Sequence, residues 1–178
     1  MNLVARLALV ISLLGAFATW LFLGPLAGFG LQIWAAFIMW GCFYHCGGGV
    51  SGLKAGLAGG LWGAMMAAVA LALIAKVGGG PAGAAICVGM TVAIFILGAN
   101  VPLLAVIPAA VYGYSAVAAL ALLKPGEDIF STDIATNPLI NIAISMSIGS
   151  IFGFVSERIV AMLGTQPGGS AAEAKSRA

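Results

Sequence analysis

The sequence predicts an all-α protein, a polytopic transmembrane helical bundle of about six helices. Hydrophobic residues make up 62% of the 178 residues and charged residues only 7%, too few to build a surface for water. Mean hydropathy is correspondingly high, at +1.16. Apolar segments follow one another between Gly and Pro breaks, and at roughly 20 residues per crossing the chain holds about six crossings with short connections.

The first segment runs from Leu3 to Leu23. With Arg6 near its start and an Ala16-Phe17-Ala18 triplet within it, it has some features of a cleavable secretory signal. The apolar run continues through Trp20-Leu21-Phe22-Leu23 to spanning length and further spans follow, so it is read as a first transmembrane helix. The remaining segments are Leu31 to Tyr44, Leu53 to Ala75, Ala82 to Leu97, Val101 to Leu123 and Pro138 to Val155. Their breaks fall at Gly24-Pro25, at Gly47-Gly48-Gly49, at Gly78-Gly79-Gly80-Pro81, around Asn100 and Pro102, and across Lys124 to Asn137. The second and fourth segments are short for a full span, which suits a tilted, broken or re-entrant path. Residues 1–163 form a single transmembrane domain on this reading, and the Gly-, Ser- and Ala-rich residues 164–178 are expected to be a disordered cytoplasmic tail.

Lys and Arg set the orientation. With six spans, Arg6, Lys54, Arg158, Lys175 and Arg177 fall on one side and only Lys76 and Lys124 on the other, so both termini are expected in the cytoplasm of a bacterial inner membrane. The net charge of +2 rests on few ionised groups and no basic cluster, which excludes a nucleic-acid partner.

Glycine organises the helices. Gly52, Gly56 and Gly60 recur every fourth residue, and Gly59 with Gly63 makes a second small-xxx-small pair. The last segment repeats the spacing with a polar beginning, through Asn137, Asn141, Ser145, Gly149, Gly153 and Glu157. The second and fifth segments both mix aromatic and small residues, and a glycine-striped segment follows each. This suggests two three-span halves inverted in the membrane, a construction that recurs in transport proteins.

Chemistry-bearing residues are sparse. Phe37, Trp40 and Tyr44 share one helical face beside His45, the only histidine. They suit either an aromatic constriction or an interfacial belt. Tyr112 and Tyr114 in the fifth segment, with the amides Asn100, Asn137 and Asn141, are the other candidates for lining a polar passage, against the plainer role of hydrogen-bonded glue between helices. Cys42, His45 and Cys46 are helical neighbours without an evident fourth ligand, so no metal and no cofactor is expected. The three cysteines read as small buried hydrophobes. Lys54, Lys76, Lys124, Glu157 and Arg158 all lie near span ends, and Glu157 is expected to pair with a basic residue there. No nucleophilic triad or phosphate-cradling motif can be assembled, so the chain is not expected to be an enzyme.

The run Trp34-Ala35-Ala36-Phe37-Ile38-Met39-Trp40-Gly41-Cys42-Phe43-Tyr44, the Gly47-Gly48-Gly49 loop and Gly52-Leu53-Lys54-Ala55-Gly56 resemble the YcdZ-like bacterial inner-membrane proteins, a domain of unknown function. Ile107-Pro108-Ala109-Ala110-Val111-Tyr112-Gly113 and Ile148-Gly149-Ser150-Ile151-Phe152-Gly153 look like that family's second half. The resemblance implies location and architecture and carries over no functional residue.

The function expected from these features is a channel or facilitator for a small neutral or weakly ionised solute, such as urea, a short amide, ammonia or a small organic acid, in a homo-oligomer embedded in lipid. A second reading is a non-transporting accessory or scaffold protein whose glycine stripes serve assembly. A third is an ion-coupled secondary transporter, which would need a buried charge.

Overall fold

The computed structural model describes residues 2–164, and among them the secondary structure is helical. Six α-helices follow in order: α1 (Leu3–Leu23), α2 (Ile33–His45), α3 (Gly49–Val77), α4 (Gly80–Leu97), α5 (Ile107–Leu123) and α6 (Pro138–Met162). Short 3₁₀ turns at Ala27–Phe29, Gly98–Asn100 and Pro102–Leu104 fill two of the connections. The tail expected from residue 164 onward lies, beyond Gly164, outside the described residues.

Local chemistry explains where the helices start and stop. Asn2 caps α1 by accepting the Ala5 N–H at 2.8 Å, and the Gly24 N–H closes it on the Trp20 carbonyl. Asn137 caps α6 by accepting the Ile140 N–H at 3.0 Å, with Pro138 in the first turn, where a missing donor costs nothing.

Three expected boundaries are corrected. Helix α3 starts at Gly49, four residues before Leu53, because a distant carboxylate supports its first turn. Helix α5 starts at Ile107 rather than Val101: the proline at 102 disfavours helical geometry at the residue before it, and 3₁₀ turns occupy Gly98–Asn100 and Pro102–Leu104 ahead of the helix. Helix α6 runs on past Val155 to Met162, since Ser156, Glu157 and Arg158 end an apolar run without ending helical geometry.

Four helices are long and apolar enough to cross a membrane: α1, α3, α4 with its 3₁₀ extension to Asn100, and α6. The fourth segment, expected to be short, is thus of spanning length, and the short helices are α2 and α5, with 13 and 17 residues, about 20 and 26 Å at 1.5 Å per residue, short of a hydrocarbon core of about 30 Å.

The bundle is built on two extensive parallel pairs, α3 with α5 and α2 with α6. Each is a backbone-close contact at glycine. A Cβ on Gly63 would strike the Ala110 carbonyl, and one on Gly113 the Gly60 carbonyl. In the other pair, a Cβ on Gly149 would strike the Ala36 carbonyl and one on Gly153 the Phe43 ring. Dispersion and close backbone approach supply this association where lipid removes the hydrophobic drive. Helix α1 lies outside on α6 and α4 outside on α3, so their large side chains, among them Leu9, Leu13, Ile86 and Ile94, are exposed. Ala35, Met39, Cys42, Ala64, Ala109, Ile142 and Met146 belong to the buried core between the pairs.

Candidate functional site

Helix α2 carries the aromatic run, and α6 receives it. Trp40 is buried, donating its indole N–H to the Ser156 hydroxyl at 3.0 Å. The Tyr44 hydroxyl meets the same oxygen at 2.7 Å, and Ser156 donates to the Gly153 carbonyl at 2.7 Å. A serine hydroxyl has one proton and two lone pairs, so with its proton on Gly153, Tyr44 is the donor. Phe37 is 41% exposed and stacks on Trp40 with ring centroids 5.7 Å apart. Trp40 stacks on Phe152, which meets Phe17, which meets Trp20. This ladder fastens α1 and α2 to α6.

The other candidates lie elsewhere. His45 is exposed, its ring edge-on to Tyr112 at 6.5 Å. Tyr114 turns toward α4, pairing its hydroxyl with Thr91 at 3.0 Å and its ring with Phe95 at 5.5 Å. Asn100 is exposed and donates to the Leu97 carbonyl. Asn137 clasps the α5–α6 connection by donating to the Ile129 and Ser131 carbonyls. Asn141, with no exposed surface, donates to the Gly30 and Ile134 carbonyls at 3.0 Å and to Phe29 at 3.4 Å, tying two connections to α6. Its side-chain Oδ1 has no partner among the described residues. The structure thus brings Phe37, Trp40 and Tyr44 together and places Tyr112, Tyr114 and the amides at other helix contacts.

Gln32 at the start of α2 was not singled out from the sequence. Its N–H donates to the Ser145 hydroxyl at 2.9 Å, while its side chain donates to the Gly30 carbonyl and accepts from the Trp34 indole. No side chain caps α2, so the first-turn N–H groups of Ile33 and Trp34 have no helical partner and carry the positive end of the helix dipole. A cavity of about 350 Å³ adjoins this start, lined by Gln32, Trp34, Ala119, Leu120, Leu123 and Lys124. Lys124 pairs with Glu127 at 2.6 Å and donates to the Ala135 carbonyl at 3.0 Å. The Glu127 side chain is 1% exposed, a buried carboxylate in the α5–α6 connection. Ser156 and Gln32 carry no motif; their roles follow from partners more than a hundred residues away.

Glu157 is corrected as well. The expected ion pair is not its contact: it accepts the Gly49 N–H at 2.9 Å, and the one ion pair found among the described residues is Lys124 with Glu127. Arg6 donates instead to the Val160 carbonyl at 3.4 Å. No group of three His, Cys, Asp or Glu side chains among the described residues is placed to hold a metal ion.

Fold and site together define a helical membrane-protein bundle with polar side chains reserved for clasping helices and connections. Residues 8–161 match the DUF1097 family, described as a protein of unknown function, and the chain belongs to that family. No curated protein and no solved structure matches it.

Proposed function

We propose that the protein is a channel or facilitator for a small neutral or weakly ionised solute of the urea, amide, ammonia or small organic acid class. The observation that carries this reading is that α2 and α5 begin partway along the long helices they pack on. Helix α2 starts beside Ser145, seven residues into α6, or about 10 Å. Helix α5 starts beside Gly59, ten residues into α3, or about 15 Å. Because Glu157 near the end of α6 touches the start of α3, those two long helices run in opposite directions, and the two short helices begin from opposite faces. Helix starts at membrane depth, supported by long helices, are the recurring means of holding a polar solute away from water.

The reading includes an inverted repeat of three helices plus three. It is supported by the packing: exchanging α1, α2 and α3 for α4, α5 and α6 turns the α3–α5 pair into α6–α2 and the α3–α4 pair into α6–α1, and all four pairs are in contact. Buried Ala18 and Phe22 on α1 match buried Thr91 and Phe95 on α4, and Ala36 against Gly149 matches Ala110 against Gly63. The further elements of the reading are a YcdZ-like identity, a bacterial inner membrane with cytoplasmic termini, and a homo-oligomer.

An accessory or scaffold role is less well supported, because the glycine faces it needs for assembly are filled within the chain: Gly56 by Cys42 and Cys46, Gly63 by Ala110 and Gly149 by Ala36. An ion-coupled transporter would draw on buried Glu127, which is already paired with Lys124.

Stopped-flow light scattering on proteoliposomes tests the proposal. Wild type should reswell faster than empty vesicles for at least one uncharged solute or weak acid, and Gln32→Leu at the start of α2 should alter that rate. Indistinguishable traces from folded, inserted protein across the whole class would refute it.

A further inference from the structure

Two cysteine sulfurs and two methionine methyl groups line one edge of α2 and its neighbours. Met39, Cys42 and Cys46 recur at helical spacing on the face of α2 that meets α3. The Cys42 and Cys46 Sγ atoms are 3.8 Å apart, and both are free thiols. A Cβ placed on Gly56 would stand 3.4 Å from the Cys46 sulfur and 3.7 Å from the Cys42 sulfur, so both sulfurs lie against this glycine of α3. One turn deeper, the methyl groups of Met39 and of Met146 on α6 crowd the same point at Gly60. Met39 and Met146 have no exposed surface, Cys42 is buried, and Cys46, at the C-cap of α2 beside the Gly47–Gly49 turn, is half-buried and forms the outer end.

We infer that Cys42 and Cys46 form a two-thiolate site for a soft monovalent cation, Cu(I) in chemical class with Ag(I) as its analogue, with the Met39 and Met146 side chains one turn further in. Two sulfurs each about 2.3 Å from one ion stand about 3.8 Å apart at a tetrahedral angle and about 4.6 Å apart when collinear. The observed separation lies at the short end of that range, so a small side-chain movement seats the ion. Thiolate and thioether ligands select Cu(I) over harder ions. Zn(II) would require further nitrogen or oxygen ligands, whereas His45 is exposed and turned edge-on to Tyr112. Binding replaces both S–H protons: one M⁺ enters, two H⁺ leave, and two metal–sulfur bonds form with no change of oxidation state. This site is independent of the solute pathway proposed above.

Anaerobic, reduced full-length protein in detergent should retain one equivalent of Cu(I) against a chromophoric Cu(I) chelator, with sulfur-only ligation by X-ray absorption. Cys87→Ser, on α4, should retain it equally. Cys42→Ser and Cys46→Ser should each weaken retention at least as much as the loss of an outer-shell partner does, about 10–100-fold. One equivalent of Ag(I) on wild type should also protect Cys42 and Cys46 from alkylation, read by peptide mass, which requires no variant to fold. Equal retention by all three serine variants, or alkylation of Cys42 and Cys46 unchanged by Ag(I), would overturn the inference.

Discussion

The Glu157 carboxylate on α6 accepts the Gly49 N–H at 2.9 Å, so the end of one long helix caps the start of another. Gly48, with φ of 70°, makes this possible: a Cβ there would collide with the carboxylate. An anion at a helix start satisfies a free donor and opposes the positive dipole end. Glu157→Ala should therefore lower stability by about 1 kcal/mol, read as thermal unfolding in detergent. Glu157→Gln, which keeps an acceptor and loses the charge, should cost less. Equal losses would mean that the carboxylate acts through charge alone.

Ser156 accepts from both Trp40 and Tyr44. Ser156→Ala leaves two donors unpaired, at roughly 1–3 kcal/mol for each that stays buried. Tyr44→Phe in the Ser156→Ala background should cost less than Tyr44→Phe alone, because its partner is already gone. A double-mutant cycle by chemical denaturation measures that coupling, and additive losses would contradict the shared acceptor.

Gly63→Leu and Gly149→Leu should unfold the protomer rather than dissociate an assembly, because each new side chain meets the backbone of Ala110 or Ala36 within the same chain. Overpacking of this kind costs about 1–3 kcal/mol or more. Gly41→Leu and Gly89→Leu, with nothing within 4 Å of the added Cβ, should leave circular dichroism and melting nearly unchanged. Folded, monodisperse Gly63→Leu protein would contradict the packing described.

Lys124→Met removes the cation from a Glu127 side chain that is 1% exposed and already has an unpartnered Oε2. Because Lys124 itself is 42% exposed, solvent compensates in part, and the loss should be about 1–3 kcal/mol. Adding Glu127→Gln should recover most of it. Unfolding midpoints of the two variants decide the matter.

Helix number and the long spans α1, α3 and α6 were legible in the sequence, because crossing a membrane is a matter of local apolar length and Gly or Pro ends it locally, whereas the fourth segment was expected short and the fifth long. Leu3–Leu23 was read to the residue. The small-residue stripes announced close packing for the same reason, since a missing side chain is a property of one position. Other features needed the tertiary structure. Which carbonyl lies against Gly63 or Gly149, how far along their partner helices α2 and α5 begin, and that Glu157 caps α3 all depend on partners brought together across the chain. So does the placing of Met146 beside the sulfur-bearing face of α2. In a chain written in so few residue types, one apolar segment looks much like another. Local composition therefore determined that the helices exist, and backbone-close packing decided how they pair.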